Sequence, residues 1–301
     1  MLKVTSAFVF VAATTLQVSL VEGQIFEKKT AQGGIEFVKS LFENQGYVVL
    51  KDFFDEERPM LRELKNSSKT LFNSIFREMY DKGYTKFPEH SRVFMETDDH
   101  GENEKKRVYA MPEGRENGFQ EIVMRNPGRY EISLAHYEME GPSLEPLVQK
   151  LRGVLPALFR QRGAYQTELN LQKSLIMSTV DSAEQAWHAD GEHLDMSEHL
   201  PVHCLNVFIP LVNVPKQKGP TEVYSGSHYK TRQPSPMSID TTKMIPYGPE
   251  LSVGDILIFD YRLLHRGKPN RSKSHRPVLV FTFSEPSFTD VYNWPKRSLK
   301  D

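Results

Sequence analysis

His203-Cys204-Leu205-Asn206-Val207-Phe208-Ile209-Pro210-Leu211 reads as a short strand, because apolar, β-branched and aromatic residues dominate it and prolines bound it. Runs of the same kind lie on both sides. Leu169 to Ser178 precedes it. Ile256 to Phe259 follows the turn pair Gly254-Asp255, and Pro277 to Ser284 (Pro-Val-Leu-Val-Phe-Thr-Phe-Ser) comes last. Short strands parted by Gly and Pro turns predict an antiparallel sandwich or barrel.

Upstream, the apolar spacing lengthens to that of helices. Ile35, Val38, Leu41 and Phe42 share one face, Gly46 ends that helix, and Tyr47-Val48-Val49-Leu50 reads as a strand. A second helix runs on toward Met79 through Leu61, Leu64, Leu71 and Phe72. A third is read over Ser143 to Arg160, with Leu144, Leu147, Leu151, Val154, Leu155 and Leu158 as its scaffold stripe. The expected fold is mainly β with flanking helices (α+β), the helices buttressing the strands. Residues 96–107 are polar and charged and read as a solvated loop, a substrate lid being the alternative. No repeat or flexible linker divides the chain.

Composition narrows the partners. The chain has 301 residues, with 38 basic and 39 acidic side chains and a formal net charge of -1. That length is ample for one core without disulfide staples. The near balance of charge argues against nucleic acid or an anionic membrane surface as partner. The single cysteine, Cys204, rules out an internal disulfide and a cysteine-based zinc site; its apolar flanks suggest a buried strand thiol.

The N-terminus reads differently from the rest. Lys3 is followed by an uncharged, mostly apolar run from Ala7 to Val21, then Glu22-Gly23-Gln24. The pattern is that of a cleavable secretory signal over residues 1–23, leaving one domain over 24–301 and placing the protein in the secretory pathway, the ER lumen or outside the cell. The run falls short of the about 20 residues of a membrane span. A membrane anchor, or an uncleaved terminus in a cytoplasmic protein, is the alternative. Asn66-Ser67-Ser68 and Asn270-Arg271-Ser272 both fit the glycosylation sequon.

The chemistry concentrates in Gln185-Ala186-Trp187-His188-Ala189-Asp190-Gly191. Residues two apart on a strand point the same way, so His188 and Asp190 can face one metal. Two imidazoles and one carboxylate on one face of iron(II) leave positions open for a cosubstrate and dioxygen. His265, just past an apolar strand, is the strongest candidate for the third ligand. Arg276 opens the next strand; an arginine entering a barrel is costly unless it meets an anion, and its planar fork suits a carboxylate. His193, His199 and His203 admit a multi-histidine zinc site, against the simpler reading of a loop with hydrogen-bonded imidazoles. Arg125 and Arg129 flank the turn Asn126-Pro127-Gly128 and read as solvated loop side chains, gripping an anionic substrate being the alternative. Trp187 reads as a packing residue, and Tyr261 and Arg262 are placed at the pocket mouth.

Taken in order, these pieces resemble a known family. His188-Ala189-Asp190, Gly219-Pro220-Thr221-Glu222 with Ser225-Gly226-Ser227-His228, and Gly254-Asp255 through His265-Arg266-Gly267, Asn270, Ser272 and Arg276 look like the phytanoyl-CoA dioxygenases. Gly46-Tyr47-Val48-Val49 followed by Phe53-Phe54 resembles the family's N-terminal part. The motifs span about 165–285.

The resemblance implies a double-stranded β-helix, or jelly roll, over that span. It implies that His188, Asp190 and His265 bind iron(II), that Arg276 clamps the distal carboxylate of 2-oxoglutarate, and that Thr221 and Asn206 are further cosubstrate contacts. It implies an oxygenase using O2 and oxidising a C–H bond of a small organic molecule, by hydroxylation or by desaturation or cyclisation, as in specialised kainoid-type ring closure. A non-catalytic barrel that keeps the pocket is the alternative. Asp190 disfavours halogenation, because related halogenases carry a small residue there. His228 reads as structural. Relatives often have Ser two residues past the distal histidine; Gly267 stands here, so the hydroxyl assisting Arg276 must come from another side chain.

Overall fold

The computed structural model describes residues 6–11, 14–19, 31–82, 114–159, 168–180, 182–231, 239–290 and 293–301. The polar segment 96–107 lies outside them.

Strands β1 (Ser6–Val11) and β2 (Thr14–Ser19) pair antiparallel, and β2 meets β3 (Tyr47–Lys51) through Gln17 and Val18. Both fall on the segment read as a signal. Helix α1 (Ala31–Gln45) precedes β3, and α2 (Arg58–Asp81) follows it. Gly46 makes the turn between α1 and β3 at φ 79°, a backbone region that glycine adopts without strain.

Then come β4 (Ile122–Asn126), β5 (Arg129–Ser133) and α3 (Glu145–Arg152). The third helix is shorter than its apolar stripe suggests. Gly153 is a poor helix former, and Pro156 has no N–H and would clash with the carbonyl of Arg152, so a 3-10 turn, Leu155–Ala157, takes over. The remaining strands are β6 (Asn170–Ser178), β7 (Cys204–Pro210), β8 (Thr221–Tyr224), β9 (Pro246–Tyr247), β10 (Ile256–Asp260), β11 (His265–Gly267) and β12 (Arg276–Ser284).

Two antiparallel sheets form a jelly roll. The larger has the order β1-β2-β3-β10-β7-β12-β6-β5-β4, the smaller β11-β8-β9. Period-2 alternation sorts the side chains of the larger sheet. Leu205, Val207, Ile209, Leu279, Phe281 and Phe283 pack outward in one apolar core with Phe42, Leu61, Leu64 and Ile75 of the helices. The residues between them, including Asn206, Phe208, Val278, Val280 and Thr282, line an internal cavity. Burying each of those outward Leu, Ile and Phe side chains is worth about 1.5–3 kcal/mol, so the helices hold the sheet that carries the cavity floor.

Cys204 is buried in β7, and burial pushes its thiol well above the usual range, as suits an inert packing group. Among the described residues no helix is long and apolar enough to cross a membrane.

Candidate active site

His188 and His265 meet across an isolated antiparallel bridge. His188 N donates to His265 O at 3.1 Å, and His265 N donates to His188 O at 2.9 Å. The segment leading to His188 is held beside β11 by two more bonds, Gln185 N to Gly267 O at 3.1 Å and Gly267 N to Gln185 Oε1 at 2.9 Å. The rings lie 4.3 Å apart, centroid to centroid.

Asp190 joins them from two residues on. His188 Nε2 is 3.7 Å from Asp190 Oδ1, and His265 Nε2 is 3.5 Å from Asp190 Oδ2. One ligand atom from each of the three residues lies within 4.8 Å of the other two. The Nδ1 atoms point away: that of His188 is 2.9 Å from Ala186 O and that of His265 3.0 Å from Leu263 O. A carbonyl only accepts, so each Nδ1 carries a hydrogen, and each Nε2 is the atom turned toward Asp190. Loss of water around the His188 ring, with His265 beside it, holds its pKa down to about 4 against the pull of Asp190, so the ring is neutral at neutral pH. Two imidazoles and a carboxylate converging from one side fit an oxygen- and nitrogen-seeking divalent metal such as iron(II).

Further side chains fix the carboxylate. Asn206 Nδ2 donates to Asp190 Oδ2 at 2.7 Å, and Thr282 Oγ1 donates to Asn206 Oδ1 at 2.6 Å. The backbone N–H groups of Asp190 and Gly191 both reach Tyr261 O, at 3.0 and 3.1 Å. Asn293 Nδ2 bonds Asp190 O at 2.9 Å and the Tyr261 hydroxyl at 2.7 Å. Sequence reasoning missed Asn293, which carries no motif and arrives from beyond the last strand.

The ligand atoms open onto a cavity of about 340 Å³ that also holds Arg276, Arg129 and Thr221. Arg276 is 3 % exposed, and burial lowers its pKa to about 10. Its Nη2 donates to Ser178 Oγ at 3.0 Å, so the hydroxyl missing at Gly267 is supplied by Ser178. Thr221 pairs with Gly267 across β8 and β11, on the far wall.

Arg129 and Arg125 are not solvated loop side chains. The Asn126-Pro127-Gly128 turn closes the β4–β5 hairpin against β6, which carries Arg129 inside, 2 % exposed. Arg125 Nε pairs with Glu131 Oε2 at 2.7 Å, its Nη1 reaches Asn293 O at 2.6 Å, and its guanidinium lies over the Trp294 ring. Arg262, expected at the pocket mouth, is instead a core staple, 1 % exposed and paired with Asp260 at 2.6 Å.

Among the described residues the other histidines form no metal cluster. Among the described residues only His188, Asp190 and His265 make a group of that kind. His193 bonds Thr231 Oγ1 at 3.0 Å, whereas His203 packs on Phe288. His228 is buried, with Nε2 3.0 Å from Glu43 O, a structural role. Trp187 stacks on Tyr224 at 3.9 Å under the Arg266 guanidinium, as a packing residue does. Asn270 is fully buried, donating to Ser178 O and Ser274 O, so the second sequon is closed to a glycan in the folded protein.

Comparison with known proteins agrees with this geometry. The family model for phytanoyl-CoA dioxygenase (PhyH) matches residues 42–278. Among solved structures, AviO1 from Streptomyces viridochromogenes Tue57 is 16 % identical with a TM-score of 0.54, over 85 % of this chain and 96 % of that one. EctD from S. alaskensis, solved with bound Fe, is 16 % identical with a TM-score of 0.53, over 97 % and 87 %. EvdO2 from Micromonospora carbonacea var. aurantiaca, complexed with 2-oxoglutarate, is 16 % identical with a TM-score of 0.50, over 91 % and 99 %. All three share the fold.

Proposed function

The chain belongs to the phytanoyl-CoA dioxygenase family, and from that premise we propose that it is an iron(II)- and 2-oxoglutarate-dependent oxygenase acting on a C–H bond of a small organic molecule. One observation carries the reading: two imidazole Nε2 atoms and a carboxylate converge on the cavity that also buries the guanidinium of Arg276.

When bound, iron and 2-oxoglutarate supply the oxidising power, dioxygen being consumed as 2-oxoglutarate gives succinate and carbon dioxide. The protein's own residues set where this happens. His188, Asp190 and His265 would hold the metal, each through one ligand atom beside the cavity. Arg276, steadied by Ser178, takes the distal carboxylate, with Thr221 on the opposing wall. Asn206 lines the same cavity and gives one N–H of its amide to Asp190, so it orients that ligand and keeps a second N–H for the cosubstrate. Phe208, Ile176, Val278 and Val280 give the remaining wall an apolar surface that excludes water from the reacting C–H bond. A gain of one oxygen in the product reports hydroxylation; a loss of two hydrogens reports desaturation or ring closure of the kainoid type. The complete donor set argues against a barrel that only binds.

Adding 2-oxoglutarate to anaerobic protein loaded with iron(II) tests the reading. A weak visible charge-transfer band is expected in the wild type and not in His188→Ala. A wild type without the band, or with no succinate formed under oxygen across a metabolite screen, overturns it. For the N-terminus, we propose processing near Gln24 and entry into the secretory pathway, on the charge and hydropathy pattern of residues 1–23.

A further inference from the structure

The cavity holds a second arginine that the metal centre does not explain. Arg276, Ser178 and Arg129 lie in one row across three neighbouring strands: the register sets Arg276 against Ser178, and Ser178 against Arg129. Ser178 Oγ accepts from Arg129 Nη1 at 2.8 Å and from Arg276 Nη2 at 3.0 Å. Two guanidinium groups therefore share one oxygen atom. Both are buried, and the Nε of each meets no hydrogen-bond partner among the described residues.

Among the described residues no acidic side chain pairs with either of these guanidinium groups. Glu131, the next inward residue on β5, is already engaged by Arg125 at 2.7 Å and Ser174 at 2.7 Å. Burial and the charge of Arg276 push Arg129 well below the usual arginine range. Desolvating two like charges side by side is costly unless an anion lies between them.

Gly267 makes the arrangement sterically possible. A Cβ added there would fall 2.4 Å from Arg129 Cζ and 2.4 Å from its Nη1. The guanidinium occupies the space that any side chain at that position would need.

We propose that Arg129 is a second carboxylate-binding residue, so that the distal carboxylate of 2-oxoglutarate is seated between Arg129 and Arg276 above Ser178. The proposal rests on the oxygenase reading and deepens it. One carboxylate suffices, because both cations already reach a single oxygen and its two oxygens can bridge two forks. The seat selects a 2-oxo acid with a charged far end over one that ends in a methyl group.

Binding, measured without turnover, decides the matter. The full-length chain, loaded anaerobically with iron(II) or with manganese(II), is titrated with 2-oxoglutarate and with 2-oxopentanoate, which lacks the distal carboxylate. Iron is read by the visible band and manganese by calorimetry. In Arg129→Gln the 2-oxoglutarate dissociation constant is expected to rise about tenfold or more, the size of one lost charge-assisted bond, with 2-oxopentanoate little changed. Gly267→Ser displaces the guanidinium without deleting it and is expected to act in the same direction. Should Arg129→Gln fail to fold, Arg129→Lys, which keeps charge but not the fork, provides the comparison. Unaltered 2-oxoglutarate affinity in the folded Arg129 variant overturns the proposal, as does equal weakening of both acids. Absence of 2-oxoglutarate binding by the wild type would overturn the oxygenase reading, and this proposal with it.

Discussion

His188 and His265 face each other in a single antiparallel bridge, each donating its backbone N–H to the other's carbonyl. Such a hydrogen-bonded pair sets the two Cα atoms about 5.5 Å apart, close enough for one ion to meet both rings. The backbone, more than any side-chain contact, therefore sets the spacing of the two imidazole ligands. His188→Ala and His265→Ala are each expected to abolish stoichiometric iron(II) binding while the sheet stays intact. Metal content after anaerobic reconstitution, alongside far-UV circular dichroism, checks this; full iron occupancy in either variant would remove that histidine from the ligand set.

Asn206 donates to Asp190 Oδ2 at 2.7 Å, and under the proposed function it acts on the metal through that carboxylate. Asn206→Ala should weaken metal binding by about 10- to 100-fold, the usual effect of losing a group that orients a ligand. Thr282→Val, which removes the donor to Asn206 Oδ1, should shift it in the same direction by less. Competition with a chelator gives both numbers.

Gly191 leaves no room for a side chain. An added Cβ would fall 2.4 Å from Tyr261 Cδ1, while the Gly191 N–H is tied to Tyr261 O at 3.1 Å. Gly191→Ala is expected to lose about 1–3 kcal/mol of stability through overpacking and to loosen the metal, because the same tyrosine carbonyl holds the Asp190 backbone. Denaturant unfolding and a metal titration measure the two effects separately. A variant as stable as wild type would show that the Tyr261 ring can move aside.

His203 provides an acid limb. Its ring is buried, neither nitrogen has a hydrogen-bond partner among the described residues, and burial with the nearby charge of Arg262 lowers its pKa to about 4. The unfolded chain protonates this group near 6.5. As pH falls from 6.5 toward 4 the unfolded state gains a proton that the folded state refuses, so stability declines across that window and levels off below it. The loss is on the order of 3 kcal/mol at most. His203→Phe should flatten this limb in unfolding curves taken between pH 7 and 4; an unchanged slope would assign the loss to other groups.

Processing of the N-terminus has a structural consequence. Cleavage near Gln24 removes β1 and β2 and leaves β3 as the sheet edge. Mass spectrometry of protein made by a secreting host is expected to find a chain starting near residue 24. An intact Met1 would overturn processing and keep β2 on that edge.

Much of this architecture was legible in one dimension. The apolar runs His203 to Leu211 and Pro277 to Ser284, bounded by prolines and turns, marked the buried strands Cys204–Pro210 and Arg276–Ser284 within a residue of their ends. His188 and Asp190, two apart, announced a shared direction. The β4–β5 hairpin was visible only as its turn, and the role of Arg129 was not visible at all. A charged residue beside a Pro-Gly turn is ordinarily solvated, and nothing local says that this hairpin will add to β6 with Arg129 facing in.

The strand-rich class, the candidacy of His188, Asp190 and His265 as ligands and the expectation of an anion at Arg276 could all be read along the chain, because periodicity and residue chemistry are local properties. The tertiary structure alone decided the rest. It put His265 opposite His188, ranged Arg276, Ser178 and Arg129 in one row, and left at Gly267 the space that Arg129 fills. The physical reason is register: which residues of distant strands stand side by side depends on how whole sheets pair and pack, and no short stretch of the chain contains that information.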